Sequence, residues 1–352
     1  MTAFGRAVAL VGDLDHEAEQ AARVLHDRLT KPRGSLGRLE TIGAQLAAIA
    51  GVAPPPIPTP AAVVVFAGDH GVTAQGVTPW PQEVTAQMVA NFVTGGAAIN
   101  VLARQLGASV TVVDVGVATV LDDAPGLLQR NVRRGTADLA IGPAMTLEEV
   151  NRALDVGTEI ANRLVDGGAR ALVTGEMGIG NTTAAAAVIA ALTGRGPEAV
   201  TGRGTGIDDA MLAHKIAVID KAIARLPAGA DARAVLSEVG GLEITALTGY
   251  IVGSAARRVP VVVDGVIADA ALLAAADLCP QAVGFVFAGH RSTEPGAAAV
   301  LEHLGIEPIL DLGMRLGEGS GACLALPILE ASARVLSEMA TFDSAGVVDK
   351  ES

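Results

Sequence analysis

The stretch AAVVVFAGDHGV, residues 61–72, decides the fold. Its first six residues are apolar without polar alternation, and Asp69 and His70 then stand between Gly68 and Gly71. A strand that is apolar on both faces is one buried on both faces, the usual condition of a parallel sheet covered by helices. Comparable runs recur at 109–115, 170–174, 259–263, 283–288 and 308–312, with helix-like stretches between nearly all of them. This alternation predicts right-handed parallel crossovers and an open α/β sheet.

Outside the strand runs, residues 14–28 and 36–50 read as helices split by the turn KPRGSLG (31–37), and a proline-rich linker follows at 52–60. Residues 206–258 read as two successive helices without a strand, and 323–342 as another long helix. The expected organisation is an α/β nucleotide-binding domain over 61–320 with a helical insertion around 206–258. Helices from 1–52 and 321–342 would form a smaller helical domain, and the polar tail 343–352 would be disordered. No internal repeat is visible.

Composition narrows the function. Half of the 352 residues are hydrophobic but only 2% are aromatic, so the core must be aliphatic and its helices must pack closely on the sheet. A net charge of -13 argues against a nucleic-acid partner, which needs a basic surface, so any bound anion has to be captured locally. Cys279 and Cys323 are the only cysteines, too few for a disulfide framework or a cysteine zinc site; a reducing cytoplasm fits. Arg6 is followed by a short apolar stretch and then Asp13, which is poor material for a signal peptide. The uncharged run 177–194 has membrane-spanning length, but it contains Asn181 and several Thr and Gly; it reads as a loop and a buried helix, with no membrane span.

In open α/β sheets, sites form beyond the carboxyl ends of the strands. The glycine-rich motifs fall there: FAGDHGV (66–72), GEMGIGNTT (175–183), Asp264-Gly265, GHRSTEPG (289–296) and RLGEGSGA (315–322). Glu318 lies between Gly317 and Gly319, a carboxylate on a bare backbone that suits either chemistry or the first turn of a helix. The segment 175–182 nearly matches the phosphate loop G-x-x-x-x-G-K-S/T, with Asn181 in place of the lysine. Without that lysine nucleoside triphosphate hydrolysis is disfavoured, whereas amides at the helix start still suit a monophosphate; a plain capped turn is the alternative. Gly202 and Gly204 form a second glycine-rich candidate, but not the dinucleotide fingerprint. Lys215 follows it, either as an anion ligand or as an ordinary surface lysine. Asp264 suits ribose hydroxyls or a cap. Asp69 and His70 read as a hydrogen-bonded pair shaping a site, because no second histidine stands at metal-ligand spacing; Asp208 and Asp209 read as helix-start charge, so no metal is expected.

KPRGSLGRLE (31–40), FAGDHGV, GEMGIGNTT, VDGV (263–266), GHRSTEPG and MRLGEGSGA occur together and in order. Over residues 20–340 the chain thereby resembles the nicotinate-nucleotide:dimethylbenzimidazole phosphoribosyltransferases. The resemblance implies a Rossmann-like parallel sheet with a small helical domain, a homodimer, no cofactor, and transfer of phosphoribose from nicotinate mononucleotide to dimethylbenzimidazole in cobalamin lower-ligand synthesis. It also implies Glu318 as the catalytic base and Glu176 as an acid beside the nucleotide. Gly178, Gly202, Gly204 and Lys215 would lie around ribose and phosphate, with Asp264 near them; Asn181, Ser292 and Leu316 complete the substrate-binding positions. Trp80 and Met88 fall where the family contacts the benzimidazole. The chemistry is consistent with a single base. The pyridine nitrogen of the donor is already cationic and leaves neutral, while the incoming benzimidazole becomes cationic and must lose its other N–H proton. A non-catalytic nucleotide sensor is the rival reading, and it would have no use for an ionised base opposite the ribose.

Overall fold

The computed structural model describes residues 1–204 and 206–348. Helices α1 (Ala3–Leu10), α2 (His16–Arg28) and α3 (Arg38–Ala50) precede strand β1 (Ala61–Gly68). Helices α4 (Glu83–Thr94) and α5 (Ala98–Leu106) lead into β2 (Ser109–Gly116), followed by the short β3 (Leu127–Gln129) and the long α6 (Leu147–Asp166). Strand β4 (Ala171–Met177) enters α7 (Asn181–Thr193), and α8 (Pro197–Val200), α9 (Asp209–Ile223), α10 (Ala232–Val239) and α11 (Leu242–Ala256) come before β5 (Val261–Val263). The chain ends through α12 (Val266–Leu278), β6 (Val286–Ala288), α13 (Pro295–Leu304), α14 (Ser320–Glu338) and α15 (Phe342–Ala345).

All paired strands are parallel, in the order β3-β2-β1-β4-β5-β6. The order reverses between β1 and β4, so the loops after these strands diverge and leave a crevice at their carboxyl ends. Every residue of β1 is buried, as its unbroken apolar run requires. Alternate side chains serve opposite layers. Phe66 meets Tyr250 of α11 edge to face, with ring centroids 5.8 Å apart, whereas Val63 faces the backbone of Gly319 at the start of α14. Helices α11 and α12 thus cover one face, and α4, α5 and α14 the other.

Several expectations need correction. Residues 206–258 hold three helices rather than two, and the last, α11, is no peripheral insertion: almost all of it is buried between α6 and the sheet. The run 308–312 makes only an isolated bridge, Leu310 with His290, because Pro308 begins it and its neighbours turn toward the site. The sixth strand is instead β3, a half-buried three-residue edge whose shortness left no pattern to read. Helix α1 was not foreseen; Thr2 caps it, and Phe4 and Ala7 bury one face against α6 and α11, away from α2 and α3. A second small cluster of Ala22, Ala44, Ala47 and Leu336 joins α2, α3 and the end of α14. The same α14 contributes Ala322 to Leu329 to the main core, so it belongs to both layers. The expected disordered tail begins with the short α15, capped by Thr341; residues 349–352 lie outside the described residues.

Of the two apolar stretches long enough to attract notice, 177–194 is a loop plus the buried 13-residue α7. Glu83–Leu106 passes a length and composition test for a membrane span, but a turn at Gly95-Gly96 divides it into α4 and α5. Both cysteines are free and buried.

Candidate active site

A cleft of about 370 Å³ opens at the carboxyl ends of β1, β4, β5 and β6. Trp80, Val84 and Met88 line one side, and the end of β4 from Glu176 through the following turn to Thr182 lines another. Val266 and Ile267, then Ser292 and Glu294, and finally Arg315 to Glu318 close the rest. Nine of the residues singled out from sequence therefore come together here: Glu318, Glu176, Gly178, Asn181, Gly204, Ser292, Leu316, Trp80 and Met88. Trp80 and Leu316 stand at the mouth, about half exposed.

Glu318 owes its place to backbone geometry. Gly317, Glu318 and Gly319 all have positive φ, at 89°, 65° and 89°. Glu318 is one of two non-glycine residues in that region among those described, a conformation that side chains adopt at a cost. The turn presses its carbonyl against β4 and leaves the side chain 7% exposed at the cleft. Its Oε2 accepts the N–H of Ile99 at 3.2 Å, from the first turn of α5. Burial raises its pKa; the Ile99 amide opposes the shift and the nearby Asp264 charge adds to it.

Glu176 does not sit in the loop after β4, as its motif suggested, but within the strand itself. Asn181 donates its Nδ2 hydrogen to Oε2. Its pKa is pushed up to about 8, first by burial, then by the charges of Asp264 and Glu243, with the Glu318 amide pulling the other way. Two carboxyl groups in one cleft thus have different characters. Glu176, with its pKa at about 8, is mostly protonated at neutral pH; the Glu318 pKa is raised by burial as well, but the Ile99 amide favours its carboxylate form.

Asp264 requires a correction. It does not line the cleft: Oδ1 accepts from Ala322 N at 2.9 Å and Oδ2 from Gly319 N at 3.2 Å. Both oxygens are spent on the start of α14, the cap rather than the ribose contact. Its pKa is raised by burial, against His290 and those same amides. The acid positions the turn that carries Glu318. Gly202 also lies outside the cleft wall, with its backbone against Glu294; a Cβ there would collide with that carboxylate.

Beside the cleft is a small recess lined by Gly178 to Thr182, Arg203, Gly204 and Lys215. It sits at the N-terminus of α7, where the helix dipole favours an anion, although the Asn181 and Thr183 amides already bond the Gly178 and Gly180 carbonyls. Lys215 is buried, donates to Thr182 Oγ1 at 2.8 Å, and has its pKa lowered by burial to about 8, with Glu294 resisting. Thr85 of α4 braces the recess by accepting the Ile179 N–H at 3.1 Å. Below the Gly178 loop, His70 Nε2 pairs with Glu243 Oε1 at 2.7 Å in full burial, while Asp69 Oδ2 accepts the Ala118 N–H at 2.8 Å; the two neighbours are thus bonded to other partners and not, as expected, to each other. Among the described residues no group of three or more His, Cys, Asp or Glu side chains could hold a metal ion.

Sequence reasoning missed Glu294, Glu243 and His290. Glu294 and His290 lie inside GHRSTEPG (289–296), a motif placed at the site without either residue being singled out, and nothing marked Glu243. The charge states carry a stability prediction. Since one pKa unit is worth about 1.4 kcal/mol, ionising buried Glu176 costs several kcal/mol. With a folded pKa raised above the unfolded value, the penalty is absent below pH 4.5 and grows until the folded group ionises near pH 8. Glu176→Gln should therefore raise the melting temperature by a few degrees at pH 8.5, with the gain shrinking toward pH 5. Thermal scans across that range check this, and equal melting curves at pH 8.5 would refute the buried-acid assignment.

The chain belongs to the phosphoribosyltransferase family, whose profile matches residues 11–347. Similar proteins carry a more particular name. A Salinispora tropica protein named nicotinate-nucleotide:dimethylbenzimidazole phosphoribosyltransferase is 56% identical, over 98% of this chain and 99% of that protein. A Geobacter sulfurreducens protein of the same name is 50% identical, over 99% of each. The crystal structure of CobT from Thermus thermophilus matches with a TM-score of 0.92 and 51% identity, covering 94% of this chain and 99% of that one.

Proposed function

We propose that the protein transfers phosphoribose from nicotinate mononucleotide to dimethylbenzimidazole, releasing nicotinate and forming α-ribazole phosphate for the cobalamin lower ligand. The observation that carries this reading is the pairing, across one cleft, of the amide-held Glu318 carboxylate with the anion-suited recess at the start of α7. A donor phosphate placed by Gly178, Gly204 and Lys215 sets the anomeric carbon between the recess and Glu318. Trp80, Met88 and Leu316 then offer an apolar slot for the acceptor ring.

The reaction needs one proton moved. The acceptor's imidazole nitrogen forms the new bond to the anomeric carbon from the face opposite the departing pyridine, so configuration inverts. Nicotinate leaves with its ring nitrogen neutral, and Glu318 takes the N–H proton from the acceptor while its charge stabilises the cation during attack. A protonated Glu176 adds no second full charge and can donate a hydrogen bond to a ribose hydroxyl. Most of the acceleration comes from holding two ligands in line. The same family resemblance supports a cytoplasmic homodimer, which light scattering checks for its oligomeric part.

The direct test is to incubate the protein with both substrates and follow nicotinate release. Binding of the nucleotide with no turnover would overturn the reading. The phosphate position has its own test. Gly204 has φ +50° and a Cβ there would lie 3.1 Å from Thr182 Oγ1, so Gly204→Val strains the backbone and fills the recess. Nucleotide affinity by calorimetry should fall by about tenfold or more, since a lost charge-assisted hydrogen bond is worth about 1.5–3 kcal/mol; a folded variant with unchanged affinity would remove this loop from the site.

A further inference from the structure

Glu294 is the residue that caps α13, yet its side chain makes no bond to that helix. It turns back into the cleft, 6% exposed, and Oε1 accepts the Gly204 N–H at 2.9 Å. Arg315 holds the other side of the same peptide loop through the Gly204 carbonyl at 2.7 Å. The charge of Glu294 also reaches Lys215 and supports its protonated form against burial. Of the donors best suited to a phosphate, the Gly204 amide therefore already bonds an anion supplied by the protein, and the Lys215 ammonium, bonded to Thr182, feels the same charge. A carboxylate and a phosphate accept from the same donors, and in a partly desolvated site their like charges repel strongly.

We propose that Glu294 is an internal stand-in for the substrate phosphate, holding Gly204 and balancing Lys215 before substrate binds and yielding both when the phosphate arrives. Its charge weakens phosphate binding and so eases departure of the phosphorylated product. Glu294 is thus a positioning residue for the anion loop, and the inference rests on the phosphate placement proposed above.

Other charged groups around Lys215 do not explain its state. On α9 itself, Asp209 is paired with Arg203 of the recess, His214 bonds the Gln75 carbonyl, and Asp220 and Lys221 are exposed beyond the next turn. Packed against α9, α7 carries no charged side chain and α8 only Glu198, while on α10 Glu238 pairs with Arg225 and Arg233 with Asn151.

The test uses inorganic phosphate and nicotinate mononucleotide as probes, by calorimetry from about pH 6.5 to 9 on the wild type, Glu294→Gln and Glu294→Asp. Glu294→Gln should bind both probes about tenfold more tightly at the acid end of that range, the direction expected from removing a repulsive charge. Its affinity should also begin to fall at lower pH than in the wild type, because Lys215 has lost its supporting charge. Glu294→Asp, which keeps the charge, should stay close to wild type. Unchanged or weaker phosphate binding in a folded Glu294→Gln overturns the proposal. So does loss of nucleotide but not phosphate affinity, which would make Glu294 a ribose contact. A second readout needs no variant: in the wild-type protein crystallised at saturating phosphate, the Glu294 to Gly204 distance should exceed about 3.5 Å, and a retained bond is contrary evidence. Wild-type turnover of the two substrates is assayed separately, so tightened phosphate binding without turnover would refute the assigned reaction and leave the stand-in role intact.

Discussion

Glu318→Gln should lower the single-turnover rate by about 10²–10⁴-fold, the usual consequence of removing a general base. The amide keeps the size of the side chain and can still accept the Ile99 N–H, so the turn at 317–319 and nucleotide affinity should survive. What it cannot do is accept the acceptor's proton or balance the cation formed on attack, and the loss should appear in the chemical step. The pH dependence gives an independent check. Burial raises the Glu318 pKa, so wild-type turnover falls as pH drops through that raised value, and the variant should lack this limb. Wild-type single-turnover rates in Glu318→Gln across neutral pH would show that Glu318 is not the base. Glu176 would then be the next candidate, a poorer one at neutral pH because it already carries its proton.

How much of this was legible beforehand follows from the range of the interactions. The strands were readable because burial on both faces leaves a continuous apolar run, and β1 is such a run. Glu318 was readable because a positive-φ turn demands glycine on either side of it, a purely local signature. Strand β3 was not, since a three-residue edge needs no distinctive composition. Asp264 was placed correctly at a strand end, but its use was open until the amides of Gly319 and Ala322, 55 and 58 residues away, were seen to converge on it. The roles of Glu294 and Glu243 were hidden for the same reason: their partners Gly204 and His70 lie 90 and 173 residues away. The chain's local chemistry shows which groups can act; the crossing of its loops at the sheet's end decides which of them meet.

The second large effect is expected at Gly175, which touches no substrate. An added Cβ would lie 2.5 Å from the Glu318 carbonyl oxygen and 2.6 Å from that of Val64, both backbone atoms with no side-chain rotamer to give way. Strand β1 is fixed by pairing on both sides, so the turn at 317–319 is the part that moves, by roughly 1 Å to restore ordinary contact. Overpacking of this kind typically costs about 1–3 kcal/mol, which a domain of this size survives. A displacement of that size at a catalytic group can cost about 10²-fold in rate. Gly175→Ala should therefore fold, bind nicotinate mononucleotide within a few-fold of wild type through the recess at α7, and turn over about a hundred times more slowly. If the defect acts through Glu318, it should vanish in a background without the base: Gly175→Ala combined with Glu318→Gln should be no slower than Glu318→Gln alone. Fully multiplicative losses in the double variant would mean that Gly175 supports some other part of the site, and a Gly175→Ala enzyme within about threefold of wild type would show that the turn tolerates the methyl without moving its carboxylate.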